Sequence, residues 1–369
     1  MGTQRSTATP LALAWGLLII YASLFPFTGW RWPAGRTLFD LMLLPWPPWR
    51  IRFDIVSNLL GYLPLGALMY GAAVRSGARL GAAVLAALAL PTLLSFTLEL
   101  TQNFLPERVP SALDLALNAG GAALGVVLGL ALHAMGGLTR WQSLRDRWFI
   151  RTSAGALLLL VLWPVGLLFP APVPLGLGQM WDELRQWVGQ ALSGTDWTGL
   201  VADWRRSAEV PPLSPLSEGG AIALGLLGPC LIAFAVTSPG WRRLVLGLVA
   251  AALGLGVTAL STALNFGPEH ALSWVTPVSF LGFAGGVGLM LVCLPCSRRV
   301  AAGLGLIALT AQVALVAQAP ADPYFAQSLQ SWSQGRFIRF HGLALWVGWV
   351  WPYLAMAWLL LRLGRDDRR

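Results

Sequence analysis

Residues 112–132 read Ala-Leu-Asp-Leu-Ala-Leu-Asn-Ala-Gly-Gly-Ala-Ala-Leu-Gly-Val-Val-Leu-Gly-Leu-Ala-Leu. After Asp114 and Asn118 the run carries no polar side chain, and the whole is long enough to cross a bilayer as one helix. Gly121, Gly125 and Gly129 recur every four residues, so they share a helix face on which another backbone can approach closely. Asp114 and Asn118 are also four apart and share a face at the start of the run. The stretch therefore predicts a membrane helix with a small-residue seam and a polar group of side chains at one end.

Composition extends that reading to the whole chain. Of its 369 residues, 56% are hydrophobic and only 11% charged, against roughly 25% charged in ordinary globular domains. Too little charge is available to cover a water-facing surface. That excludes a soluble enzyme and a disordered chain. The net charge is +9 and the pI about 10.6, but all 25 basic residues are arginines in short clusters between apolar runs. Such spacing carries topology information and is not a phosphate-tracking stripe, so no nucleic-acid partner is expected. Cys230, Cys293 and Cys296 lie in apolar segments; the Cys293–Cys296 pair has no second pair or nearby histidine to complete a metal set.

Ten apolar segments are long enough to be membrane spans: 11–27, 55–74, 80–104, 114–135, 153–170, 218–237, 242–264, 274–294, 300–318 and 341–363. With the N-terminus inside, the groups Arg75/Arg79, Arg140/Arg145/Arg147/Arg151, Arg242/Arg243, Arg298/Arg299 and Arg362/Arg365/Arg368/Arg369 all fall on the inner side. Both termini are thus expected in the cytoplasm, across an inner membrane. Tryptophans concentrate in the outer connections, among them Trp30, Trp32, Trp46, Trp49, Trp181, Trp187, Trp197, Trp204, Trp274 and Trp332. Residues 181–192 and 324–337 are expected as helices lying on the outer membrane face, each with an apolar side.

The chain reads as a duplication. Asn103-Phe104-Leu105-Pro106-Glu107-Arg108 is echoed by Asn265-Phe266-Gly267-Pro268-Glu269-His270, and Leu60-Gly61-Tyr62-Leu63-Pro64 by Leu224-Gly225-Leu226-Leu227-Gly228. An all-α bundle follows, with two related four-helix units plus two further helices. The expected division is a four-helix unit at 1–140, a degenerate copy with a Trp-rich outer loop at 141–297, and two spans with a basic tail at 298–369. The second copy carries apolar or small residues where the first has Glu99, Asp114 and Asn118, so it is expected to act as a support.

Polar residues inside spans are costly and mark function by default. Asp54, Asn58 and Tyr62 step along one helix face. Glu99 and Gln102 lie at the end of the third span, Arg108 and Ser111 in the short turn after it, and Asp114 and Asn118 at the start of the fourth. All fall at one depth, near the outer boundary. Three readings compete. The set is structural pairing, with Arg108 against Glu99 or Asp114 and the amides capping helix ends. Or Arg108, with Gln102, Ser111, Asn58, Asn118 and Tyr62, binds an anionic headgroup while Glu99, Asp114 and Asp54 position it or transfer a proton. Or the carboxylates hold a hard cation, which Arg108 disfavours. Nucleophile–base pairs, P-loops and dinucleotide fingerprints are absent from the sequence, and no cofactor or metal is expected.

The pattern Asp54-x3-Asn58-x3-Tyr62-x-Pro64-x-Gly66, followed by Glu99-x2-Gln102-x5-Arg108-x2-Ser111-x2-Asp114-x3-Asn118-x2-Gly121, resembles the VanZ-like membrane protein family over about residues 10–135. Tyr21 through Phe27 also fits that family's first span. The resemblance implies a bacterial cell-envelope role and, through the family's founding member, a link to glycopeptide (teicoplanin) resistance. It implies no reaction. Membrane lipids and a lipid-linked cell-wall precursor are the candidate partners. A non-catalytic scaffold for an envelope assembly machine is the alternative. A secondary transporter ranks lower, because transporter sites lie at mid-membrane on broken helices.

Overall fold

A computed structural model describes residues 8–25, 27–35, 37–47, 52–106, 108–169, 171–180, 184, 188–189, 191–192, 213–319 and 338–364. The expected surface helix at 324–337 lies outside the described residues, as does most of 181–192. So do Arg5, Trp49, Trp181, Trp187, Trp197, Trp204 and Trp332.

Every regular element described is helical. The ten apolar segments form ten helices whose ends lie within three residues of those expected. Seven are long and apolar enough to cross a membrane by length and composition. Ala8–Leu24, Ala154–Leu167 and Pro277–Val292 are apolar but shorter. At 1.5 Å per residue the 14 residues of Ala154–Leu167 reach only about 21 Å. This is a multi-pass membrane protein. The chain divides into two compact units, Met1–Arg147 and Trp148–Arg369.

The first unit contains α1 (Ala8–Leu24), a short α2 (Leu38–Met42), α3 (Arg52–Arg75), α4 (Leu80–Gln102), α5 (Ala112–Ala134) and the Arg-rich α6 (Gly137–Trp148). Its tightest seam is between α3 and α5. There a Cβ on Gly121 would strike the Leu59 carbonyl, one on Gly125 the Leu63 carbonyl, and one on Gly129 the Tyr70 ring; from the other side, a Cβ on Gly66 would strike the Ala122 carbonyl. The glycine stripe is the surface on which the two backbones meet, which is how membrane helices gain contact where lipid offers no hydrophobic drive. Trp15 ties α1 to the same layer by donating from Nε1 to the Gly61 carbonyl at 2.7 Å.

In the second unit α7 (Ala154–Leu167), α8 (Pro215–Val236), α9 (Trp241–Phe266), α10 (Pro277–Val292), α11 (Arg298–Val316) and α12 (Ile338–Leu363) pack around α8, which is buried almost end to end from Ala221 to Val236. A non-helical segment, 171–178, runs into this core, with Val173, Leu175 and Leu177 all buried. Prolines 172 and 174 keep it from continuing α7. Its polar backbone is satisfied from inside the protein, as an irregular chain at membrane depth requires. Gln312 Nε2 donates to the Leu175 carbonyl at 2.9 Å, Tyr353 Oη to that of Gly178 at 3.1 Å, and Gly178 N to that of Gly348 at 3.0 Å.

Arg243, the third residue of α9, is fully buried and serves as a cap for two helix ends. Its guanidinium donates to the carbonyls of Phe234 (2.8 Å) and Thr237 (2.8 Å) at the end of α8. It also donates to those of Leu294 (3.0 Å) and Cys296 (2.5 Å) after α10. The last carbonyls of a helix have no partner within it, and one planar fork of five donors serves four of them.

Candidate functional site

Four helix ends of the first unit meet at one level: the C-termini of α1 and α4 and the N-termini of α3 and α5. Two chains of hydrogen bonds join them. In the first, Glu99 Oε2 accepts from the backbone N of Ser111 at 2.8 Å, Ser111 Oγ accepts from the backbone N of Asp114 at 3.2 Å, and Asp114 Oδ1 accepts from Asn58 Nδ2 at 2.9 Å. Ser111 is the N-cap of α5, so Glu99 and Ser111 together satisfy orphan donors at that helix start. Asp114 sits in the first turn of α5, where the helix dipole favours a negative charge.

In the second chain, the Tyr62 hydroxyl hydrogen-bonds Ser95 and lies near the Glu99 carboxylate. Ser95 Oγ in turn accepts from Asn118 Nδ2 at 2.9 Å. Tyr62, Ser95, Glu99, Ser111 and Asn118 are all buried. Asn118 Oδ1 is buried too and has no hydrogen-bond partner among the described residues. A buried acceptor left over costs about 1–3 kcal/mol.

Gln102 and Arg108 point to α1. Gln102 Nε2 donates to the Ser23 carbonyl at 3.1 Å. Arg108 Nη2 donates to the Ala22 carbonyl at 3.4 Å and to that of Phe25. Arg108 thus places positive charge at the negative end of the α1 dipole and occupies its terminal carbonyls.

Asp54 lies in the first turn of α3, one turn before Asn58. It is exposed, and its carboxylate joins neither chain. The structure therefore brings Glu99, Ser111, Asp114, Asn58, Tyr62 and Asn118 together on α3–α4–α5, sets Gln102 and Arg108 against the end of α1, and leaves Asp54 at the surface of the same end.

Ser95 is the member that sequence reading passed over. It lies four residues before Glu99, on the same face of α4, and that spacing was the available signal. The segment between α1 and α3 lies over the group: Arg31 N donates to the Phe104 carbonyl at 2.9 Å and Ala112 N to that of Pro45 at 3.0 Å, while Trp32 packs on Phe104. Trp30, Trp32 and Trp46 are exposed on this segment, as interfacial anchors are.

Residues 7–133 match the VanZ/LLP1 family. Both hydrogen-bond chains, Asp54 and the whole glycine seam fall inside that match, so the first unit is a VanZ-like domain with its motif residues gathered at one end. No curated protein and no solved structure matches the chain.

The opposite end of the VanZ-like unit is basic. Arg75 closes α3, and α6 carries Arg140, Arg145 and Arg147. Arg145 is buried, and burial pushes its pKa below the usual arginine range. The Arg75 charge adds to that shift, and Asp146 opposes it. Tyr70 and His133 join α3 to α5 near this end through a 2.7 Å hydrogen bond.

Proposed function

We propose that this is a bacterial cell-envelope protein of the inner membrane whose VanZ-like unit binds the headgroup of an anionic, lipid-linked or cell-wall precursor at the outer leaflet. The observation that carries the proposal is the pair of groups the fold does not use. Asp54 is exposed beside a cluster in which the other carboxylates accept hydrogen bonds, and Asn118 Oδ1 is a buried acceptor with no described partner. Internal pairing alone calls for neither, and as acceptors both face the hydroxyl or amide donors of the headgroup and not its anionic group. Arg108 supplies the positive field for an anion, and Asp54, Glu99 and Asp114 position the headgroup or move a proton. A role in glycopeptide resistance is proposed through the family alone.

The orientation is part of the proposal. The basic end, with Arg75, Arg140 and Arg147, faces the cytoplasm, and the polar cluster faces outward.

A scaffold for an envelope assembly machine is the second reading. It is favoured by the extent of internal bonding from Asn58 through Asp114 and Ser111 to Glu99. Asp54→Asn separates the two. In the binding reading it abolishes an envelope phenotype and the co-purification of an anionic lipid at unchanged protein abundance. In the scaffold reading it is silent.

A further inference from the structure

The second unit contains a cavity of about 670 Å³, within the size range of ligand pockets. It lies where α7 ends, α8 begins and α9 ends, and one wall is the irregular segment after α7. Leu167, Phe169, Leu175 and Phe266 supply apolar surface. Glu218, in the first turn of α8, supplies a half-buried carboxylate, and Thr258 and Trp274 also line the cavity. Thr258 Oγ1 and Trp274 Nε1 are both buried polar atoms with no hydrogen-bond partner among the described residues. Leu175 itself is held at φ +62°. For a leucine this is a rare, strained conformation of the kind that collects at ligand sites.

These groups define what fits. Glu218 as a carboxylate accepts and does not donate, whereas the Trp274 N–H donates and does not accept. An anion would face Glu218, no arginine lines the cavity among the described residues, and the one lining histidine, His270, has its Nε2 3.9 Å from the Glu269 carboxylate. An ammonium group could donate to Glu218 and Thr258 but would leave the Trp274 N–H without an acceptor. Hydroxyl groups both donate and accept, and a sugar ring also offers an apolar C–H face to Trp274 or Phe169. We infer that this cavity binds an amphiphile with an uncharged, polyhydroxylated headgroup, such as a glycosyl lipid. The hydroxyls donate to Glu218 and accept from Thr258 and Trp274, and the hydrocarbon lies along Leu167, Leu175 and Phe266. The described lining of this site comes from the second unit, and the inference does not rest on the substrate proposed for the VanZ-like unit.

The test uses the full chain purified in lauryldimethylamine oxide, which carries no sugar, and native mass spectrometry. Monoglucosyl diacylglycerol is titrated against phosphatidylglycerol with the same acyl chains. The expected result is a 1:1 glucosyl-lipid adduct at about tenfold lower concentration than any phosphatidylglycerol adduct. Glu218→Gln and Thr258→Val each keep the shape of the side chain and should weaken the adduct about fivefold, the effect of one lost hydrogen bond. Their melting temperatures report that they are folded, and Trp274→Phe serves as the third variant should either melt early. Equal or better retention of phosphatidylglycerol overturns the inference. So does the lack of a 1:1 adduct, or variants that are stable and bind like the parent chain.

Discussion

Asn58 on α3 donates to the carboxylate of Asp114 on α5 at 2.9 Å, across the seam where the two helix backbones approach most closely. The bond has one partner per helix and lies at the polar end of the glycine stripe. It fixes the register of the closest helix pair in the VanZ-like unit and sets Asp114 facing Ser111 and, through it, Glu99.

Removing that donor should cost stability. Asn58→Ala leaves a half-buried carboxylate short of a hydrogen bond, which costs about 1–3 kcal/mol. The melting temperature in detergent should fall. Asp114→Asn in the parent background keeps an acceptor for Asn58, so the drop should be smaller. A larger drop for Asp114→Asn would mean that the charge, and not the bond, holds the seam.

The seam itself predicts a sharp contrast between glycines. Gly125→Ala drives a methyl group into the Leu63 carbonyl and the Ala67 amide, both of them backbone. Overpacking of this kind costs about 1–3 kcal/mol. Gly61, in α3, has open space where its Cβ would lie. Gly61→Ala should therefore be neutral or stabilising by about 0.5–1 kcal/mol, since alanine is the better helix former. Thermal unfolding of the two variants side by side checks both signs.

Arg243 should resist even conservative exchange. Arg243→Lys replaces a planar fork by one ammonium group, which cannot reach carbonyls at the ends of both α8 and α10. Stranding buried carbonyls at about 1–3 kcal/mol each should lower the yield of folded protein for Lys nearly as much as for Ala. A lysine variant with the stability of the parent would remove the capping role.

Arg108→Ala should loosen α1 before anything else. Amide exchange should rise around residues 22–25, where Arg108 and Gln102 hold the last carbonyls of α1, and stay unchanged along α5. Asp54→Asn, by contrast, should leave exchange unchanged throughout the unit, because among the described residues no fold-forming hydrogen bond uses that exposed carboxylate. Increased exchange across all of α3 to α5 on Arg108→Ala would show that Arg108 supports the whole cluster and not α1 alone.

The sequence alone determined the helices and the level at which the polar residues sit. Apolar length sets a membrane helix because no other open backbone is satisfied in lipid. Four-residue spacing puts Asp114 with Asn118, and Gly121 with Gly125 and Gly129, on fixed faces. The short turn between α4 and α5 forces Glu99 and Asp114 to the same end. These are local constraints, and they hold whatever the rest of the chain does.

Only the tertiary structure decided which partners those side chains found. Arg108 reaches the carbonyls of Ala22 and Phe25, more than eighty residues away in the chain, and spacing within its own turn carries no record of that. Arg243 reads in sequence as one of a basic pair beside a span; burial against two helix ends turns it into a cap. Pro172 and Pro174 keep the apolar run at 171–178 from forming a helix. Its place inside the second unit depends on Gln312, Tyr353 and Gly348 arriving from distant helices to satisfy its backbone. Long side chains and orphan carbonyls are satisfied by whatever lies within reach in space, and that is a property of the packed bundle.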